Sequence, residues 1–90
     1  MLEYKYVPDV LEKRDPFRPG HLGLAQEFKD KGDLLAGGAY AESPFGAVFI
    51  FKAENEADVR ASFVEKDPYV SNGLVVEHTV RELLIPPPLQ

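Results

Sequence analysis

Apolar side chains recur with two periods along this chain, and each switch between them marks an element. Leu2, Tyr4 and Tyr6 alternate with Glu3, Lys5 and Val7, a period of two with aromatic content that predicts a strand over residues 2–7. Pro8 has no amide for a ladder and ends it. Residues 9–17 are charged, hold Pro16 and read as a loop. Pro19 suits the first turn of a helix. His21, Leu24, Ala25 and Phe28 then fall at i, i+3, i+4 and i+7, so they share the buried stripe of a helix running to about Lys31, with Gly32 as its stop. Asp33 to Tyr40 is a second strand. Its Gly37-Gly38 pair marks a bulge or a close backbone approach.

Ser43-Pro44-Phe45-Gly46 is a turn. After it Ala47 to Lys52 carries Val48, Phe49, Ile50 and Phe51 in succession, which predicts a strand covered on both faces. Asn55, with Asp58 three residues on, caps a second helix with Val59 and Phe63 facing inward. That helix ends near Lys66, where Asp67-Pro68 breaks it. Tyr69 to Gly73 is a short turn. Leu74 to Leu84 is the last strand, with Val76, His78 and Val80 on one face, and Pro86-Pro87-Pro88 cannot continue a sheet.

The order βαββαβ predicts a ferredoxin-like α+β fold, a four-stranded antiparallel sheet with both helices on one face. Residues 1–85 form one domain and 86–90 a proline-rich tail. The other sheet face would be an exposed apolar patch on a lone subunit. A second copy packed face to face covers it most simply, so a homodimer is expected. Ninety residues bury only roughly 60–65 % of their extended-chain surface, and a thin core adds to the case for a partner.

Composition narrows the chemistry. No cysteine is present, which removes disulfides and thiolate metal sites. The two histidines lack a recognisable ligand spacing, so no metal is expected. No stretch approaches the ~18 apolar residues of a membrane span, and Met1-Leu2-Glu3-Tyr4-Lys5 lacks the apolar run of a secretory signal. The expected location is the cytoplasm. The net charge of −5, with ten scattered basic residues, would repel a phosphate backbone and argues against nucleic acid.

His21 sits in the first turn of a helix on its inward stripe, where a neutral imidazole makes a usable general base. A buried histidine bonded to a carbonyl fits the same position. Asp67 precedes a proline, as turn-forming Asx residues do. The two acquire chemistry only together, if the start of the first helix meets the end of the second and the carboxylate orients the ring. His78, mid-strand between valines, fits a packed or interface residue. Arg18, three residues before His21, could hold an anion or pair with a surface carboxylate. Tyr69 adjoins the Asp-Pro pair and joins Arg18 as a candidate substrate-binding side chain. Tyr4, Tyr6, Tyr40, Phe49 and Phe51 fit an apolar pocket wall or ordinary core and interface packing.

The runs Leu11-Glu12-Lys13-Arg14, Arg18-Pro19-Gly20-His21-Leu22 and Gly32-Asp33-Leu34-Leu35-Ala36-Gly37-Gly38 resemble the YciI-like protein family. So do Asp67-Pro68-Tyr69-Val70, Gly73 and Glu77-His78. The resemblance runs from Leu2 to about Leu83. It implies a dimeric α+β barrel and an active site built on a histidine and an aspartate, roles that fall on His21 and Asp67. It also implies proton-transfer chemistry on small cyclic acids or phenols, since the family's relatives include a dehydrochlorinase and muconolactone isomerases share the barrel. The Tyr40–Gly46 connection looks shorter than the family's, and the Ile85-Pro86-Pro87-Pro88 tail differs from its usual end. Two functions follow. One is a small lyase or isomerase, with His21 and Asp67 as an acid–base pair that needs no cofactor. The other is a dimeric module that binds a small ligand or a protein without chemistry.

Overall fold

A computed structural model describes every residue except Ser43 and Pro44. The turn expected at Ser43–Gly46 therefore lies partly outside the described residues. Four strands form one antiparallel sheet: β1 (Leu2–Tyr6), β2 (Leu34–Ala39), β3 (Gly46–Phe51) and β4 (Val75–Val80). Their order is β2-β3-β1-β4. Between them lie α1 (Val10–Lys13), α2 (Arg18–Asp30), α3 (Glu56–Ser62) with a 3-10 turn at Val64–Lys66, and α4 (Pro68–Ser71). This is the expected α+β arrangement, the two long connections crossing one face of the sheet.

Cross-strand pairs set which residues meet the helices. Tyr4 stands opposite Ala47 and His78, and Leu2 opposite Phe49 and Val80. Residues directly opposite share a face, so Leu2, Tyr4, Ala47, Phe49 and Val80 turn toward the helices and are buried. Phe28 of α2 and Phe63 after α3 close over them, their rings 5.4 Å apart. The opposite face holds Glu3, Val48, Ile50 and Thr79, with no helix among the described residues against it. Tyr40 lies over Gly46 on that side, and its hydroxyl donates to Glu3.

Three local expectations change. Residues 9–17 are not all loop: Val10–Lys13 forms a helical turn, anchored by the buried Val10 and an Asp9–Lys13 ion pair at 3.0 Å. Tyr69–Gly73 is not a simple turn either, because Pro68–Ser71 is helical and capped by the Asp67 side chain. Asp-Pro ends one helix and starts the next, proline being at home in a first helical turn. The last strand stops at Val80 rather than Leu84. Among the described residues it pairs with β1 alone, and the Arg81 amide bonded to the Met1 carbonyl is the last contact of that ladder. The proline segment ends in a 3-10 turn, Pro87–Leu89.

Other signals hold. Gly32 and Gly73 take φ values of +82° and +76° at the ends of their helices, a region costly for other residues. Asn55 caps α3, its side chain accepting from the Asp58 amide at 3.0 Å. No helix among the described residues is long and apolar enough to cross a membrane.

Candidate functional site

The first turn of α2 lies against the first turn of α4. A Cβ added to Gly20 would sit 3.0 Å from the Pro68 side chain, so glycine lets the two backbones approach. That contact brings together the residues on either side of it. His21 Nδ1 lies 2.9 Å from both carboxylate oxygens of Asp67. Asp67 is 0 % exposed and His21 6 %.

Two further donors serve the Asp67 carboxylate. The Tyr4 hydroxyl, reaching from the central strand β1, donates to Oδ2 at 2.8 Å. The Tyr69 amide donates to Oδ1 at 2.9 Å, which is the α4 cap. A buried carboxylate is tolerable when its lone pairs are filled this way. An Asx-type turn and a partner for histidine were alternative readings of Asp67; it serves as both. Because the carboxylate only accepts, the bond from His21 is an Nδ1–H donation. That leaves Nε2 unprotonated in the neutral ring and without a protein partner among the described residues.

The imidazole is fixed on its faces as well. Tyr69 stacks on it, centroids 3.9 Å apart and planes 5° from parallel, and Phe49 meets it edge-on at 5.9 Å. Burial, reinforced by the neighbouring Asp67 charge, pushes the Tyr4 phenol well above its ordinary range. Burial raises Tyr6 too, with Tyr69 and Asp67 adding to it and Arg14 opposing. Tyr69 is raised by burial against the pull of Arg14 and Arg18.

His21 lines a cleft of about 780 Å³ between α2 and the edge strand β2, a volume typical of a small-molecule site. Small residues on β2 leave it room: a Cβ on Gly37 would meet the Phe49 ring at 2.9 Å. Its walls include Tyr6, Phe49 and Tyr69, and its charged lining is cationic, from Arg14, Arg18 and Lys29, with no aspartate or glutamate among the described residues. An anion-friendly cleft thus sits in a chain of net charge −5.

Of the sequence candidates, His21, Asp67, Arg18 and Tyr69 converge here. His78 does not. It lines a different hollow, around Glu3, Tyr40 and Glu77. Tyr40 also lies there, while Phe51 packs against the core. Sequence reasoning missed Tyr4's bond to Asp67, and Arg14 and Lys29 as cleft residues. An inward tyrosine on a central strand needs a partner for its hydroxyl, and that was the available signal. Among the described residues no group of three or more metal-ligating side chains gathers.

No curated protein matches the chain. A solved structure of 5-chloro-2-hydroxyhydroquinone dehydrochlorinase (TftG) from Burkholderia phenoliruptrix AC1100, in complex with 2,5-dihydroxybenzoquinone, is similar to it. The TM-score is 0.75 at 25 % identity, over 93 % of this chain and 94 % of that one. A family model for the YCII-related domain matches residues 1–84. With the fold and all but the last residues accounted for, the chain belongs to the YCII-related domain family.

Proposed function

We propose that the protein is a lyase or isomerase that moves a proton on a small cyclic or aromatic acid or phenol. The observation that carries this is the His21–Asp67 pair at 2.9 Å on the wall of an open, cation-lined cleft. Asp67 holds the ring in the tautomer that presents a basic Nε2 to the cleft. His21 takes the proton, and the electron pair moves into a conjugated carbonyl. Returning the proton to another carbon is isomerisation; expelling a leaving group is elimination. Base catalysis of this kind supplies about 10²–10⁴-fold. Arg18 and Tyr69 bind the substrate. The similarity to a dehydrochlorinase supports elimination from a hydroxylated ring.

The working form in this reading is a cytoplasmic homodimer. Among the described residues helices clad one sheet face, and Val48 and Ile50 on the other would be covered by a second copy. A panel of lactones and halogenated phenols tests the reaction. Turnover by the wild-type protein that His21→Ala abolishes supports it, and equal turnover by both rejects His21 as the base. The second reading, a module that binds the same ligand without chemistry, is favoured by the small 6 % exposure of His21. A compound that raises the melting temperature and is recovered unchanged would select it.

A further inference from the structure

We infer that the substrate is longer than its reacting ring: it carries an apolar arm ending in a carboxylate, which Lys29 holds at the far end of the cleft from His21. This names the substrate class of the proton-transfer reading and rests on it. The cleft has two ends. The chain turns from α2 into β2 over residues 31–33, so Lys29, Leu34 and Leu35 stand together where helix and strand join. His21 lies toward the other end, with Phe49 edge-on at 5.9 Å and the Phe49 ring against Gly37. His21 and Lys29 both line the cleft, and eight residues of helix separate them by roughly 12 Å. A ring lying at His21 spans only part of that distance. The volume, about 780 Å³, is likewise that of a site for a drug-sized ligand rather than one bare ring.

The stretch between the two ends is apolar. The register of β2 against β3 shifts between Leu34 and Ala36. Strand side chains ordinarily alternate, yet Leu34 and Leu35 both line the cleft, as a bulge permits. Ala25 and Ala36 line it beside them. Leu22 and Leu35 on its walls are 49 % and 47 % exposed, and the methylenes of a ligand would cover them.

Lys29 ends that stretch. Its Nζ donates to the Leu35 carbonyl at 3.1 Å, which anchors the ammonium at the bulge and leaves it N–H donors to spare. Among the described residues no carboxylate lies within ion-pair distance of it. Lys31, by contrast, lies over the Phe28 ring, 4.3 Å from its centroid. A substrate carboxylate at Lys29 meets a charge-assisted donor whose side chain is already ordered, so little further freedom is lost on binding. An extended chain gains roughly 1.2 Å per bond, so an arm of about four to six methylenes reaches from a ring at His21 to that ammonium. The arm takes no part in bond making. Its binding holds the ring against Nε2.

The test is calorimetric titration with three phenols: 6-(4-hydroxyphenyl)hexanoate, its shorter homologue 3-(4-hydroxyphenyl)propanoate, and 4-hexylphenol, whose chain is uncharged. The proteins are wild type, Lys29→Met, Lys29→Glu and Lys31→Met, each also melted. Wild type should bind the hexanoate about fivefold or more tighter than the propanoate. Lys29→Met should lose about fivefold in affinity for the hexanoate, Lys29→Glu more, and Lys31→Met under about twofold. The affinity for 4-hexylphenol should fall with none of them. In wild type, added salt should weaken the hexanoate and spare 4-hexylphenol, a readout that needs no variant. Equal affinities of wild type for the two acids overturn the inference. So do equal affinities of wild type and Lys29→Met for the hexanoate, equal losses at positions 29 and 31, a parallel loss of 4-hexylphenol, a hexanoate affinity indifferent to salt, or no binding to wild type. His21-dependent turnover of ring compounds with no preference for the longer acid sinks this inference alone. A Lys29-dependent preference with no turnover on any ring compound sinks the proton-transfer reading and keeps Lys29 as a carboxylate holder.

Discussion

Gly20 packs against Pro68 so closely that a Cβ at position 20 would lie 3.0 Å from the proline Cγ. Each of these residues is the chain neighbour of one half of the His21–Asp67 pair. The spacing of two backbones thus sets the alignment of an imidazole and a carboxylate.

Gly20→Ala should therefore trade alignment for propensity. Alanine is favoured over glycine by about 0.8–1 kcal/mol in a helix interior, and by less in the first turn, where Gly20 sits. Here the new methyl must push Pro68 by a few tenths of an ångström, offsetting that gain and shifting Asp67. The expected result is a melting temperature within a few degrees of wild type and a severalfold drop in turnover. Gly23 is the control on the same helix, since a Cβ added there would meet nothing within 4 Å. Gly23→Ala should raise stability with turnover unchanged. Paired assays of the two variants check this, and identical behaviour would show that the approach at Gly20 has no bearing on the site.

The elements were legible in the chain where one pattern dominated. The alternation of Leu2, Tyr4 and Tyr6 and the stripe from His21 to Phe28 lie where the sequence put them. What could not be read was how separate elements meet. Asp67-Pro68 carries a stop signal and a start signal at once, and only the packing of α4 on α2 decides that it also faces His21. Val10–Lys13 is too short to show a period, and its helical form depends on burying Val10 in the core. Arg14 was hidden for the same reason, because its entry into the cleft follows from that turn. The stacking of Tyr69 on His21 joins residues 48 apart in number, and no local pattern announces it.

Asp67→Asn should abolish most of the activity while leaving much of the fold. Asparagine can still accept from the Tyr69 amide, yet its NH₂ group now faces His21 Nδ1 or the Tyr4 hydroxyl. Donation to Nδ1 would move the imidazole proton to Nε2 and remove the base from the cleft. A fall in kcat of about 10²–10⁴ is expected, with about 1–3 kcal/mol lost from stability. Nitrogen-15 shifts of the His21 ring report the tautomer directly. An unchanged tautomer alongside lost activity would contradict the stated cause.

Tyr4→Phe should change how stability depends on pH. Burial pushes the Tyr4 phenol far up, and Tyr6 with it, so the folded protein keeps both protons where the unfolded chain releases them near pH 10. Stability is full below about pH 10 and falls above it, because there the unfolded state binds fewer protons, approaching about 1.4 kcal/mol per pH unit for each phenol. At pH 8 the variant should be less stable by about 1.5–3 kcal/mol, having lost a donor to a buried carboxylate. That deficit should shrink as the pH climbs past 10. Urea titrations at several pH values between 8 and 11 measure both quantities, and a deficit that stays constant would mean that Tyr4 ionises alike in the two states.

Ile50→Lys should separate the subunits of the proposed dimer without disturbing the cleft. Ile50 stands opposite Ala36, one register step from Phe49, so it points away from the helices while Phe49 points toward them. It is half-buried on a face that no helix among the described residues covers. A lysine there can keep its charge in water on a lone subunit, but between two packed sheets it would lose that hydration without a counter-charge. Sedimentation of wild type at micromolar concentration should give twice the mass of the chain, and the variant should give the chain mass with circular dichroism intact. Binding of 2,5-dihydroxybenzoquinone, the ligand of the similar dehydrochlorinase structure, by the monomeric variant then separates two roles for the partner. Retained affinity means that the cleft between α2 and β2 is complete within one subunit, as its lining by a single chain implies. Lost affinity would mean that the second copy braces β2 from behind, holding Gly37 and Ala39 at the distance from α2 that keeps the cleft open.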